Sequence, residues 1–571
     1  VATGRTRRRH PCRIGGRSIT TTAGARPEGR GVTQRRTLLL LVALYLVVKI
    51  VLQLFGDPFV MSGSYYELYP GMIANEIIDY GARDPAYLNR GVPLYAAPIV
   101  AGFLTVPFFL VLGKSLATLR LVSLLVSVLG FMLSFVFVDR YLGRRPAVIT
   151  ALLWVFPPIF FFTYDTLAFE VHEVLVVLNA AVLLLVYRIV FDGARQWYLF
   201  AATGFIIGFG TYYLVNMVFI LPVILLLVLA ADRRLLASRG ALLFGLAFVI
   251  GFTPWVLICY PELGYRHSAP FEEAMGQQMA ANLGELPLRF GRFFLFIERS
   301  LYTSEMSDKV EMSRLFPWLE PRLFRIYFGV FLGSYIAMIW SHRRAFARMA
   351  RSIVARRQEG GDTAGFQIVP VLVMPVLFPL VYSLTTGSGS SIISSRYLLP
   401  VHPFLFMTIA MALTHIWGKR VAGVDLRWLA IIVVGGLASI FLVSVAPGLN
   451  RDNATGLVST RGYGYHLFYK LFRLKYHPEN IEVFLNTFDE RPAATRPEMA
   501  FGLGYFSSKR TIVPDSKQDA AYTPFYLYSV GWHTRGKAAN RFFERPPEQV
   551  GEILLGSDSI FFYIGLGTGL V

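Results

Sequence analysis

Cysteine and charge are both scarce in this chain of 571 residues. The two cysteines, Cys12 and Cys259, are too few for a disulfide framework or a thiolate metal site. Charged residues make up only 16%, and 36 acids stand against 55 Lys and Arg for a formal net charge of +19. A soluble domain carries roughly a quarter charged residues and under half apolar ones. Here apolar residues reach 54% and mean hydropathy is +0.51, which excludes an ordinary soluble enzyme, a disordered chain and a soluble nucleic-acid binder. A glycine-rich phosphate loop is missing too. Gly208, Phe209 and Gly210, like Ser388, Gly389 and Ser390, read as small-residue packing or loop chemistry.

What is present in quantity is the long apolar run. Stretches of about 17–25 residues, the length a helix needs to cross hydrocarbon, lie near 38–55, 118–138, 147–163, 171–190, 197–213, 215–231, 240–259, 324–341, 367–386, 397–416 and 426–446. The expected fold is an all-α polytopic membrane protein with about 11 transmembrane helices. One further apolar stretch, 93–113, is interrupted by Pro98 and Pro107, and whether it crosses reverses the orientation of everything after it.

Arginine placement decides that question, because cytoplasmic loops carry the excess of Lys and Arg. If 93–113 does not cross, five later basic loops fall on the cytoplasmic side. They hold Arg140, Arg144 and Arg145; Arg188 and Arg195; Arg233, Arg234 and Arg239; six arginines from Arg343 to Arg357; and Lys419, Arg420 and Arg427. The short loops between them hold only Arg396. If it does cross, all of those charges lie outside. The non-crossing reading makes 93–113 a surface helix, with Lys114 and Arg120 at the outer headgroup level. Residues 1–36, with ten arginines and one acid, form a basic disordered tail that holds the N-terminus in the cytoplasm. The reading is a multi-pass plasma (cell inner) membrane protein. Its soluble mass lies outside, in loops 56–120 and 260–322 around the 37–447 membrane domain, and in residues 448–571.

Three outer segments carry the polar residues that chemistry could use. In the first, Glu67 follows Tyr65 and Tyr66 and starts a short amphipathic helix that stops at Gly81. A carboxylate there either satisfies the helix dipole or serves as a general base; Asp57 is an alternative carrier. In the second, Asp165, Glu170, His172 and Glu173 cluster at the mouth of a span, where ionisable groups are expensive unless they face water or one another. No metal-ligand spacing stands out there. In the third, Ser395, Arg396, Tyr397, Leu398, Leu399 and Pro400 open a span, and Arg396 suits a phosphate oxygen at headgroup depth or simply snorkels. Lys49, near the outer end of the first span, is expected to snorkel.

These segments resemble the GT-C superfamily of membrane glycosyltransferases, in the style of the protein O-mannosyltransferases and the lipid A aminoarabinose transferases. The resemblance runs over roughly 38–420. It comprises an outer loop with an acid, tyrosines and an amphipathic helix ending in Gly; a Pro-led surface helix; a span opened by Arg120, Leu121, Val122 and Ser123; a second acidic outer loop; and the late Arg396-to-Pro400 motif. The chain departs from it at Glu67 and Leu68, where the family has a pair of acids.

The resemblance implies a catalytic Glu67 assisted by a second-loop acid, Asp165, Glu170 or Glu173. It implies substrate contacts from Arg396, Tyr397, Tyr66, His172 and Arg120, and a GT-C-like fold. The donor implied is a polyprenyl-phosphate-linked sugar, and the acceptor a lipid, glycan or protein on the outer face; membrane lipids are partners and nucleic acid is not. No cofactor or metal is assigned, and a divalent metal is left open. A sugar leaving a polyprenyl phosphate deposits negative charge that an arginine or lysine stabilises, and the acceptor hydroxyl needs a carboxylate to take its proton. The alternatives are a transporter or flippase of a lipid-linked saccharide, or a membrane-anchored scaffold or sensor. Residues 448–571 read as a small outer domain in which Gly-aromatic pairs recur irregularly, as helical repeats do. Asn453, Ala454 and Thr455 form a glycosylation triplet.

Overall fold

A computed structural model describes residues 29–55, 69–80, 97–114, 116–158, 161–162, 165, 171–259, 325–354, 363–385, 395–421 and 423–445. The tail 1–28, the segments 56–68, 81–96, 166–170 and 260–324, and residues 446–571 lie outside the described residues, and with them Asp57, Tyr66, Glu67, Glu170 and Asn453.

The described elements are α1 (Gly29–Phe55), α2 (Tyr69–Tyr80), α3 (Ala97–Leu112), α4 (Leu116–Tyr141), α5 (Arg144–Val155), α6 (Val171–Val190), α7 (Trp197–Tyr213), α8 (Leu221–Ala231), α9 (Arg239–Pro254), α10 (Arg325–Val354), α11 (Val369–Thr385), α12 (His402–Ile416) and α13 (Arg427–Val445). A two-residue hairpin, β1 (Arg420–Val421) with β2 (Val424–Asp425), turns at Gly423, whose φ of +83° is left-handed. Short 3₁₀ turns lead into α8, α11 and α12. Five helices are long and apolar enough to cross a membrane, and shorter apolar helices stand beside them. The chain is a helical, multi-pass membrane protein.

Each expected span contains a helix, with two changes of length. The run expected at 147–163 stops being helical at Val155, because Pro157 and Pro158 follow and a residue before proline is pushed out of the helical region. The run expected at 324–341 continues as α10 to Val354, so much of its arginine-rich stretch is helix rather than loop.

Two kinds of surface hold the bundle in place. Large apolar side chains stand exposed along α9 (Leu242, Leu246, Val249, Ile250) and α3 (Leu110, Val111), as expected where lipid replaces water. Between α7 and α9 the helices approach to backbone contact. A Cβ on Gly204 would lie 2.1 Å from the Phe244 carbonyl oxygen, and one on Gly208 the same distance from that of Phe248. Small residues spaced four apart allow this approach, which maximises dispersion contact where no hydrophobic force acts.

The basic turns gather at one end of the bundle. Gln34 near the start of α1 donates to Asp139, which also pairs with Arg144 at 3.2 Å. Arg140 pairs with Asp192 at 2.5 Å, and Arg195 with Asp232 at 2.6 Å. Ser352 near the end of α10 donates to the Ala230 carbonyl at 3.0 Å, and Arg145 lies over the Trp417 ring. The described parts of all five basic segments of the charge tally therefore sit with the N-terminal end of α1.

Helix α3 stays at the opposite end. Its Val100 packs against Tyr212 at the end of α7, and Leu112 leads through Gly113 (φ +88°) directly into the start of α4. Ile73 of α2 fills the space over Gly102, so α2 and α3 form a hairpin. With 16 residues, about 24 Å of helix, and both ends near the same end of the bundle, α3 does not traverse it.

Candidate active site

The end of the bundle away from the basic turns carries a buried charged cluster. Its foundation is aromatic. After α5 stops, Phe161 packs edge-on to Trp154 and Phe406, and Phe162 packs edge-on to Phe441, which wedges the connection into the core. Phe162 N–H donates to the Pro158 carbonyl at 3.0 Å, closing a turn. This presents Asp165 to the interior, 2% exposed.

Asp165 meets α1 and α4. Its Oδ2 lies 2.5 Å from Lys49 Nζ, both side chains 1% exposed, and accepts from the Tyr45 hydroxyl at 2.8 Å. Its Oδ1 accepts from Ser127, and the Tyr45 and Ser127 hydroxyls touch each other. The ammonium of Lys49 also stands 4.8 Å from the Phe162 ring centroid. Moving two charges out of water costs several kcal/mol per ion. Here a short ion pair, two hydroxyl donors and an aromatic face supply the compensation.

Glu173, two residues into α6 and 4% exposed, accepts from Ser123 at 3.0 Å through Oε2. Its Oε1 has no hydrogen-bond partner among the described residues. Arg120, Ser123 and Ser127 lie along one side of α4, spaced three and four apart, and all are at most 2% exposed. A narrow gap is lined by Ser127, Trp154, Phe161, Asp165, Glu173 and, from the turn before α12, Leu399. Among the described residues, Lys49, Arg120, Asp165 and Glu173 are thus all buried at this end of the bundle.

Of the residues singled out from the sequence, the fold brings Asp165, Glu173 and Arg120 to this region. Lys49 is a correction: it does not snorkel but pairs with Asp165 in the interior. Lys49 is 0% exposed because Asp165 inside the bundle serves the ammonium better than a long reach through hydrocarbon, and Arg120 is likewise buried, at 2%. The backbone of His172 lies in the first turn of α6, and Arg396 and Tyr397 lie in the 3₁₀ turn Ser395–Val401, which packs against α6. That turn continues into His402, fully buried, whose Nδ1 faces the Leu398 carbonyl at 3.1 Å. Glu67 and Tyr66 are outside the described residues. No group of three or more His, Cys, Asp or Glu is assembled among the described residues.

Sequence reasoning passed over Tyr45, Ser127 and His402, and named Ser123 only within the motif that opens at Arg120. Only Ser123 and Ser127 left a signal, as polar residues four apart in an apolar run beginning at Arg120.

Comparison with known proteins bears on the same part of the chain. Residues 96–258, which hold α3, the acidic connection and the α7–α9 interlock, match the family model described as dolichyl-phosphate-mannose-protein mannosyltransferase. The GT-C resemblance is borne out over that segment, a little over a quarter of the chain. Among solved structures, ArnT from Cupriavidus metallidurans bound to undecaprenyl phosphate aligns at 16% identity and a TM-score of 0.37, covering 93% of this chain and 76% of that one. No curated protein matches.

Proposed function

We propose that this chain is a membrane glycosyltransferase that moves a sugar from a polyprenyl-phosphate donor to an acceptor at the outer face. The observation that carries the reading is the convergence of Asp165, Glu173, Lys49 and Arg120 at one end of the bundle, opposite the basic turns. Ionisable groups buried at membrane depth are expensive and mark function by default. The mannosyltransferase match over residues 96–258 supports the same chemistry.

In this reading each part has a task. The donor's phosphate gains charge as the sugar leaves, and fixed cations near it lower that barrier. Arg396, on the turn packed against α6, takes that role. Glu67, on the segment that leaves α1 just beyond the Lys49–Asp165 pair, accepts the acceptor hydroxyl's proton. Asp165 and Glu173 form the second acidic wall, and His172, Tyr66 and Tyr397 contact substrate. The surface hairpin α2–α3 and the exposed apolar helices accommodate a long isoprenoid tail. The outer placement follows from the arginine-rich turns, all at the other end.

The deciding experiment incubates purified protein with a panel of polyprenyl-phosphate sugars and measures release of polyprenyl phosphate. Release with one sugar in the presence of an acceptor is the expected result. No release with any member, from protein shown to be folded, would overturn the reading.

A further inference from the structure

A second feature lies at the opposite end of the bundle and does not depend on the proposed activity. Between the starts of α7 and α9 and the 3₁₀ turn Arg233–Ala237 is a cavity of about 330 Å³. Its rim carries Arg195, Arg234 and Arg239, and its floor is apolar, with Phe200 and Leu235 each 7% exposed. Asp232 is the acid in the lining, and it is engaged: it pairs with Arg195 at 2.6 Å and accepts from the Arg234 N–H at 3.2 Å. Three guanidiniums against one carboxylate leave two positive charges over an apolar floor. Gly240 completes the wall where a Cβ would strike the Phe200 ring at 2.6 Å.

The surroundings extend this chemistry along the membrane. Trp197 at the rim is 67% exposed and Tyr198 is 48% exposed, the residue types that favour the headgroup level. Leu242, Leu246 and Val249 run from the cavity along the outer side of α9, each more than half exposed. An anionic head with an apolar tail matches both parts. A soluble anion would satisfy the rim and leave the floor and ridge uncovered.

We propose that this cavity is a binding site for an anionic phospholipid of the cytoplasmic leaflet. Arg234 and Arg239 hold its phosphate, while the glycerol backbone and upper acyl chain cover Phe200, Leu235 and the α9 ridge. Basic pockets between helices on the cytoplasmic side suit such headgroups. Guanidinium forks match phosphate oxygens in geometry as well as charge. Arg195, fixed by Asp232 and by its bond to the Ile189 carbonyl at 3.0 Å, shapes the rim.

The test uses the full chain in nanodiscs of mixed phosphatidylglycerol and phosphatidylcholine, followed by native mass spectrometry of retained lipid. The expected result is discrete retention of phosphatidylglycerol with roughly tenfold preference or more, lost in Arg234→Gln/Arg239→Gln. Arg427→Gln, at the same end but paired with Asp425, serves as a control that leaves the preference intact. Equal retention of both lipids, or equal loss in the Arg427 variant, would reduce the rim to diffuse surface charge and overturn the site. Displacement of the lipid by millimolar inorganic phosphate would assign the cavity to a free anion instead.

Discussion

Lys49 Nζ and Asp165 Oδ2 stand 2.5 Å apart with both side chains 1% exposed, tying the first membrane helix to the connection between α5 and α6. Removing one partner of a buried pair leaves an uncompensated charge, whereas removing both leaves none. Lys49→Met should therefore destabilise the protein by about 3–5 kcal/mol. Lys49→Met/Asp165→Asn should recover most of that loss, because the amide oxygen accepts from one of the Tyr45 and Ser127 hydroxyls and the amide N–H donates to the other. Thermal unfolding in detergent reads both. A single variant that melts like the parent would show that the pair is not buried.

The carboxylates separate by turnover. Glu67→Gln and Glu173→Gln keep shape and hydrogen bonding but cannot take a proton. Loss of a general base costs about 10²–10⁴-fold in rate, and the expected outcome is that collapse for Glu67→Gln with donor binding retained. A helix-start role for Glu67 predicts instead about 0.3–1 kcal/mol of lost stability with near-normal turnover. If turnover survives in Glu67→Gln and collapses in Asp57→Asn or Glu173→Gln, the base is that residue.

Arg396→Ala should weaken donor binding without unfolding the chain. Charge-assisted hydrogen bonds contribute about 1.5–3 kcal/mol, which corresponds to roughly 10- to 150-fold in affinity. Titration with a fluorescent polyprenyl-phosphate analogue measures it. Unchanged affinity would remove Arg396 from the site.

The α7–α9 interlock has a built-in control. Gly208→Leu drives a side chain into the Phe248 carbonyl, 2.1 Å from where its Cβ would lie, and should prevent folding or lower the melting temperature sharply. Gly245, on the same helix pair, has nothing within 4 Å of its Cβ position, so Gly245→Ala should stay within about 0.5 kcal/mol of the parent. Equal effects of the two would mean that the helices do not touch there.

Orientation is checked by cysteine labelling. Arg144→Cys and Arg348→Cys, both at the basic end, should react only with reagent added from the cytoplasmic side. Labelling of either from outside would place α3 across the membrane and reverse every later helix.

The helices were legible in the sequence because hydrocarbon imposes a length and a polarity that any sliding reader can see. Counting arginines predicts that 93–113 does not cross, and Val100 of α3 packs on Tyr212 at the end of α7. The end of α5 is set by Pro157 and Pro158, which the apolar residues on either side mask in a hydropathy pattern. The candidate site was legible in part. Asp165 and Glu173 stood out because acids are rare beside spans, whereas Glu67 and Arg396 rest on motif likeness.

Residue types, the lengths of the apolar runs and the spacing of the arginine-rich turns between them are properties of the chain taken locally, and the sequence by itself determined them. Which charges find each other depends on distances between helices far apart in sequence, and only the tertiary structure decided that. Lys49 looks like a side chain reaching for the interface until α4 and the α5–α6 connection are packed beside it. Then Asp165, Tyr45 and Ser127 lie closer than water does, and the same ammonium becomes an interior charge. Burial and pairing are relations between elements, and no single element's sequence contains them.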